Sequence, residues 1–163
     1  MKFLIPKKKP STNLILNGTD VNTLRQDTAG LIVKSRTDNL SRIRKYILDV
    51  TGKYGIEQDI TDKIILAVDE ACTNIIKHAY QSKPDNDIII NAFFKNGKFI
   101  INITDFGKGF NPELIPDPDM PSYLKQRRVG GLGMHLMRTL MDKVEYHSQK
   151  DKYNKLVLEK NIN

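Results

Sequence analysis

The sequence predicts an α+β two-layer sandwich in which a mixed, mostly antiparallel sheet carries helices on one face. Two observations lead to this fold class. Strand-like and helix-like apolar patterns follow one another in the order strand, helix, helix, hairpin, loop, helix, hairpin. The dipeptide Asn96-Gly97 separates two apolar strand-like runs and is a strong hairpin signal, so these two strands are expected to be antiparallel.

The length and composition are typical of a globular protein with one domain. The chain has 163 residues, of which 39% are hydrophobic, which is enough to build a core. Residues 1–28 are predicted to be an arm and residues 29–163 the folded domain. No stretch is long enough for a membrane span, and the N-terminus lacks the pattern of a secretory signal. We therefore expect a cytoplasmic protein without a membrane partner.

The residue types present argue against an internal disulfide, a structural zinc site and a nucleic-acid partner. The single Cys72 cannot form an internal disulfide, and one cysteine with three histidines makes a structural zinc site improbable. The net charge of +7 favours an anionic ligand or an acidic partner. Aromatic residues are not interleaved with the lysines and no DNA-reading motif is present, so no nucleic-acid partner is expected.

Three helices are predicted from apolar residues at helical spacing. The first spans about 38–54 with Asp38 as its cap, and the second spans about 61–80 with Thr61 as its N-cap. The third spans about 132–141. Each helix is expected to lay its apolar face on the sheet.

Five strands are predicted, at residues 31–35, 88–96, 98–105, 143–149 and 155–160. Between the third strand and the last helix lies a long segment, residues 111–130, with four prolines and no steady period. Segments of this length without secondary structure are usually functional or disordered. We therefore interpret it as a mobile loop.

The stretch "DEACTNIIKHAY" lies in the second predicted helix and holds a possible chemical pair. Glu70 and Asn74 are four residues apart, so they are neighbours on the face opposite the apolar arc, together with Lys77. A carboxylate and an amide oxygen at this spacing suit a hydrated Mg²⁺ bound to phosphates. Taken alone, the pair is better explained as part of the solvated face of an amphipathic helix, because almost every surface helix offers such a pair.

The stretch "DFGKGF" follows a predicted strand. Asp105 at the strand end can accept a hydrogen bond from a ligand amine, and Gly107 and Gly109 allow a close backbone approach or a positive φ. An ordinary glycine-rich turn is the simpler alternative for the isolated motif.

The stretch "GGLGMHL" places Gly130, Gly131 and Gly133 at the start of the third helix. A glycine-rich turn into a helix presents free backbone N–H groups and the positive end of the helix dipole, which together bind phosphate. Met134 follows the last glycine where a P-loop needs lysine, so a Walker-type site is excluded. A hinge at the end of the long loop is compatible with phosphate binding.

In this order and at these separations, the three stretches resemble the N, G1 and G2 boxes of the ATP-binding fold shared by DNA gyrase, histidine kinases, mismatch-repair ATPases and heat-shock chaperones, the Bergerat-type fold. The resemblance covers residues 31–160. Within this superfamily, "VDEACTNIIKHAY", "ITDFGKGF" and "GGLGMHLMRTLMDKVEY" resemble the anti-sigma-factor serine/threonine kinase family. Residues 29–163 are then a stand-alone histidine-kinase-like ATPase domain.

The resemblance implies that the protein uses ATP and Mg²⁺. By this resemblance Asn74 coordinates Mg²⁺, Glu70 is the general base, Asp105 binds the adenine amine, and Gly107 and Gly109 shape the nucleotide pocket. The remaining nucleotide-binding residues that it implies are Lys77, Gly130, Gly131, Leu132, Gly133 and Met134, with residues 111–129 as the ATP lid.

The resemblance implies an ATP-dependent serine/threonine kinase that acts as an anti-sigma factor. Such a kinase phosphorylates an anti-anti-sigma (STAS-type) antagonist and sequesters a sigma factor in a partner-switching pathway, and relatives are often homodimers. One alternative is a binding module whose nucleotide only sets its shape. Another is a regulator of a stress response that does not bind a sigma factor.

Overall fold

A five-stranded antiparallel sheet forms the centre of the fold. A computed structural model describes residues 30–109, 118–121 and 132–162, and the backbone of residues 15–16 and 19–20. The strands are β1 (Ile15–Leu16), β2 (Thr19–Asp20), β3 (Leu31–Lys34), β4 (Asp87–Lys95), β5 (Lys98–Asp105), β6 (Lys143–Gln149) and β7 (Tyr153–Asn161). β1 pairs with β2 outside the main sheet, whose strand order is β3-β4-β5-β7-β6.

The predicted α+β class is confirmed, and every pairing between the described strands is antiparallel rather than mixed. The helices are α1 (Leu40–Lys53), α2 (Gln58–Asn74) and α3 (Gly133–Leu140). A 3₁₀ turn, Thr37–Asn39, precedes α1, and a π-helical turn, Ile75–Ala79, continues α2. The connection that contains α1 and α2 joins the neighbouring antiparallel strands β3 and β4, while tight hairpins close β4-β5 and β6-β7.

The core lies between one face of the sheet and the helices. Alternate residues of β4, β5 and β7 are buried because successive side chains of a strand point to opposite faces. They meet the apolar faces of α1 and α2, on which residues such as Ile47 and Ile64 are fully buried. Burying each such side chain stabilises the fold by about 1.5–3 kcal/mol relative to leaving it exposed.

Two predicted helix starts are wrong by two or three residues. Thr61 is not an N-cap, because α2 begins at Gln58; its side chain is buried and its hydroxyl donates to the Ile56 carbonyl at 3.5 Å. The buried Ile56 fixes the chain just before the helix, which therefore starts earlier. Asp38 lies in the 3₁₀ turn before α1 and forms an ion pair with Arg36 instead of capping the helix.

Tyr80 connects the end of the π-turn to the ends of β4 and β5. Its buried hydroxyl donates to the Asp87 carbonyl at 2.6 Å and accepts from the Phe106 N–H at 2.8 Å. Burial raises the pKa of Tyr80 to about 12. Tyr80 therefore stays neutral and holds the turn that follows Asp105.

Replacing Tyr80 with phenylalanine is expected to lower the free energy of unfolding by about 1–3 kcal/mol, because the change leaves a buried donor and acceptor without partners. Urea denaturation followed by circular dichroism measures this loss. Tyr54→Phe is the matched control, since the Tyr54 side chain is 40% exposed and should tolerate the change. Equal stability of the two variants would contradict the bridging role of the hydroxyl.

Candidate nucleotide-binding site

A cavity of about 320 Å³ lies between α2, its π-turn, α3 and the buried face of the sheet. Its lining is mainly apolar, with one residue that carries a polar group from each of α2, the π-turn, the end of β5 and β6. The lining residues are Ala71, Asn74, Ile75, His78, Ala79, Asp105, Gly133, Met134, Met137, Tyr146 and Leu156. A mostly apolar cavity of this size with a few placed polar groups is typical of a small-molecule site.

Glu70 and Asn74 meet the first residue of α3. Both side chains are half-buried on neighbouring turns of α2. A Cβ added to Gly133 would overlap the Glu70 carboxylate and would lie 2.8 Å from Asn74 Nδ2. A larger residue at position 133 would therefore displace these two side chains, and with glycine the structure brings the predicted first and third motifs together.

Asp105, at the end of β5, also lines the cavity and is only 4% exposed. Its Oδ1 accepts hydrogen bonds from the Gly107 N–H at 2.8 Å and from Asn154 Nδ2 at 2.9 Å. Burial raises the pKa of Asp105, and these two hydrogen bonds act in the opposite direction. Oδ2 accepts no hydrogen bond from the described residues, so it is available to a donor in the cavity.

The glycines after Asp105 allow close packing rather than a positive φ. A Cβ on Gly107 would lie 2.6 Å from the Ala79 carbonyl oxygen, and the adjacent Lys108 N–H donates to that carbonyl at 2.9 Å. A Cβ on Gly109 would lie 2.7 Å from Ser148 Oγ. The motif thus holds the strand end against the π-turn and against the β6-β7 hairpin.

Gly107→Ala is expected to lower the free energy of unfolding by about 1–3 kcal/mol, because the backbone of Ala79 must move to admit the methyl group. Gly52→Ala is the matched control, since nothing lies within 4 Å of a Cβ at that helical position. The control should stabilise the protein by about 0.4–1 kcal/mol. Chemical denaturation of both variants tests the difference, and the same sign for both would refute the packing argument.

Apart from Lys77, the predicted site residues fall into three groups. Asn74, Asp105, Gly133 and Met134 line the cavity. Glu70, Gly107 and Gly109 adjoin it through the contacts described above, and the half-buried Leu132 directly precedes α3. Gly130, Gly131 and most of the predicted lid lie outside the described residues.

Lys77 is exposed and does not line the cavity, whereas His78 does. The reason is the π-turn, in which the Tyr80 N–H donates to the Ile75 carbonyl five residues earlier. This wider turn rotates Lys77, three positions after Asn74, away from Asn74. A helical wheel drawn for an α-helix therefore places Lys77 wrongly. Such π-turns occur frequently at functional sites.

Comparison with known proteins identifies the family. The profile of the histidine kinase-like ATPase domain matches residues 33–160. The chain belongs to this family. Family membership agrees with the cavity between α2 and α3 and with the three motifs that surround it.

The relatives include serine-protein kinases. The chain is 33% identical over 131 residues to the serine-protein kinase RsbW of Staphylococcus aureus. The aligned region covers 77% of this chain and 82% of that protein. The chain is 28% identical over 125 residues to the serine-protein kinase RsbW of Listeria monocytogenes, covering 74% and 80%, respectively. The predicted family resemblance and the enzyme class, protein-serine/threonine kinase, are confirmed at the level of the family.

Within residues 30–109, 118–121 and 132–162, no helix combines the length and apolar character that a bilayer crossing requires.

Proposed function

We propose that this chain is an ATP-dependent kinase that phosphorylates a serine of a small STAS-type anti-anti-sigma protein, and that it also binds a sigma factor. The observation that carries the proposal is the shape of the cavity. The buried Asp105 carboxylate lines the cavity, and so does Asn74, which lies beside Glu70 at the N-terminus of α3. The serine-protein kinases among the relatives support the reaction type.

The base of ATP would enter the apolar part of the cavity. Oδ2 of Asp105 would accept a hydrogen bond from the 6-amino group, and Met134 and Met137 would contact the ring. Gly133 and the free N–H groups at the start of α3 would face the phosphates, because a helix N-terminus favours negative charge. The net charge of +7 also favours a polyphosphate ligand.

Mg²⁺ fits the same end of the cavity. The Asn74 side chain supplies a neutral oxygen, which suits an ion that binds through few protein ligands and through substrate phosphates. When bound, Mg²⁺ would neutralise charge on the phosphates. Glu70, on the next turn, is positioned to receive a proton.

In the proposed reaction the serine oxygen of the partner forms a bond to the γ-phosphorus of ATP. The bond between that phosphorus and the β–γ bridging oxygen breaks, and ADP leaves. The serine hydroxyl proton passes to the Glu70 carboxylate. Phosphoryl transfer requires mainly positioning and charge stabilisation, so a single carboxylate near the nucleophile is sufficient as base.

A pull-down from native cell extract in the presence of ATP or ADP, followed by phosphoserine mapping, tests the proposal. We expect one small protein to be retained and phosphorylated on serine, and a sigma factor to be retained when that protein is phosphorylated. Retention of partners without any phosphoserine would favour the binding-module alternative. Retention of no protein with either nucleotide would refute the partner-switching proposal.

A further inference from the structure

Ser148 and Asn154, two polar side chains outside the sequence motifs, form a hydrogen-bonded relay that ends at the Asp105 carboxylate. The Ser148 hydroxyl donates to Asn154 Oδ1 at 2.8 Å. Asn154 Nδ2 donates to Asp105 Oδ1 at 2.9 Å and to the Gly107 carbonyl at 3.0 Å. Asn154 is only 3% exposed and pairs with Asp105 across β5 and β7. The relay therefore runs from the β6-β7 hairpin to the cavity.

The orientation of the Asn154 amide is dictated by its neighbours. An ionised Asp105 and the Gly107 carbonyl are both pure acceptors, so only the NH₂ group of the amide can face them. The oxygen of the amide then faces Ser148, whose hydroxyl donates to it. Both amide hydrogens are used, and the reversed amide would place three acceptors together. Asn154 thus requires Asp105 Oδ1 to be an acceptor.

We propose that Asn154, oriented by Ser148, is a positioning residue for nucleotide selection: it fixes Asp105 Oδ1 and so presents Oδ2 to the cavity as the acceptor for the 6-amino group of a purine. This inference rests on the proposed function, in which the cavity binds ATP. It extends that function because it assigns selectivity for the amine to a residue that does not itself touch the base.

Among the described residues, hydrogen bonds rather than ion pairs hold the Asp105 carboxylate in place. No lysine, arginine or histidine forms an ion pair with Asp105 within the described ranges. The titratable groups nearby are His78 on the cavity wall, Tyr80 on the π-turn, Asp87 at the start of β4, and Tyr146 on β6. The two donors to Oδ1 are therefore the main factors that oppose the effect of burial on Asp105.

Asn154→Leu tests the proposal in a cycle with two ligands, ATP and purine riboside triphosphate, which lacks the 6-amino group. The wild-type chain is expected to bind ATP about tenfold or more tightly than the analogue, since a hydrogen bond to a charged group is involved. In Asn154→Leu this ratio is expected to fall to about threefold or less, because the carboxylate is no longer fixed. Isothermal titration calorimetry with Mg²⁺ measures all four affinities.

The control is Asn102→Leu, which makes the same change on β5 at a half-buried position on the other face of the sheet. It should keep the wild-type ratio. If the wild type itself does not distinguish the two ligands, the contact between Asp105 and the amine in the proposed function is wrong. If the wild type does distinguish them and Asn154→Leu does so equally well, the role of Asn154 alone is refuted.

Two NMR measurements complete the test, and the first of them does not depend on the folding of Asn154→Leu. In the wild type, the two Asn154 side-chain amide protons should shift more on addition of ATP than on addition of the analogue, and equal shifts would overturn the proposal. In the folded variant, the Asp105 carboxyl carbon should titrate at higher pH than in the wild type, because one donor to the ionised form is lost. An unchanged or lower titration midpoint would also contradict it.

Discussion

Replacing Glu70 with glutamine is expected to abolish phosphotransfer while leaving ATP affinity nearly unchanged. Glutamine keeps the size of the side chain beside Gly133 but cannot accept the serine proton. General-base catalysis contributes about 10²–10⁴-fold to rate, so single-turnover transfer of radiolabelled phosphate to the partner should slow by at least about 100-fold. Binding of ATP, measured by calorimetry, should change by less than about threefold, because Glu70 is not assigned a contact with the nucleotide.

The adjacent carboxylate provides the control for this experiment. Asp69 accepts a hydrogen bond from Arg44 Nε at 2.5 Å and thereby connects α2 to α1, and its second oxygen, Oδ1, is buried without a partner among the described residues. Asp69→Asn should therefore alter stability but keep phosphotransfer. If Glu70→Gln retains the wild-type rate, Glu70 is not the base; if Asp69→Asn loses activity instead, the two carboxylates have been assigned the wrong roles.

Much of the fold is determined by local signals that act over a few residues. At Asn96-Gly97 both residues have positive φ, +51° and +74°, which is what a two-residue hairpin between twisted strands requires. The turn therefore fixes the β4-β5 register, in which Lys95 pairs with Lys98. Helix starts were less predictable, because the burial of Ile56 and Thr61 in the tertiary core decides where α2 begins.

The predictable part of the site consists of residues close together in the chain. Glu70 and Asn74 share a helix face, and Gly107 lies two residues after Asp105, so spacing indicates each pair, while the resemblance of the three motifs together implies one nucleotide site. Asn154 and Ser148 were missed because their link to Asp105 depends on the pairing of β5, β6 and β7, and no local pattern encodes that register. His78 was missed although it lies four residues after Asn74, a spacing that already indicates neighbours on a helix.

Asp105→Asn is expected to reverse the preference of the cavity at the purine 6-position. The Gly107 N–H and the Asn154 amide both donate to the Oδ1 position, so the oxygen of the new amide must occupy it. The NH₂ group then takes the place of Oδ2 and faces the cavity. A donor would meet the 6-amino group of ATP, and we expect ATP affinity to fall by about 100-fold or more, as in sites where buried polar groups are left unpaired.

The same change should favour a 6-oxo purine. Inosine triphosphate carries an acceptor at the 6-position, so its affinity relative to ATP is expected to rise in Asp105→Asn by at least about tenfold. Calorimetric titration of wild type and variant with both nucleotides gives this ratio directly. Asp105→Leu serves as control, because it removes the acceptor without supplying a donor: it should weaken ATP, but it should bind inosine triphosphate less tightly than Asp105→Asn does. A variant Asp105→Asn that binds ATP as tightly as the wild type would show that the base does not reach Asp105.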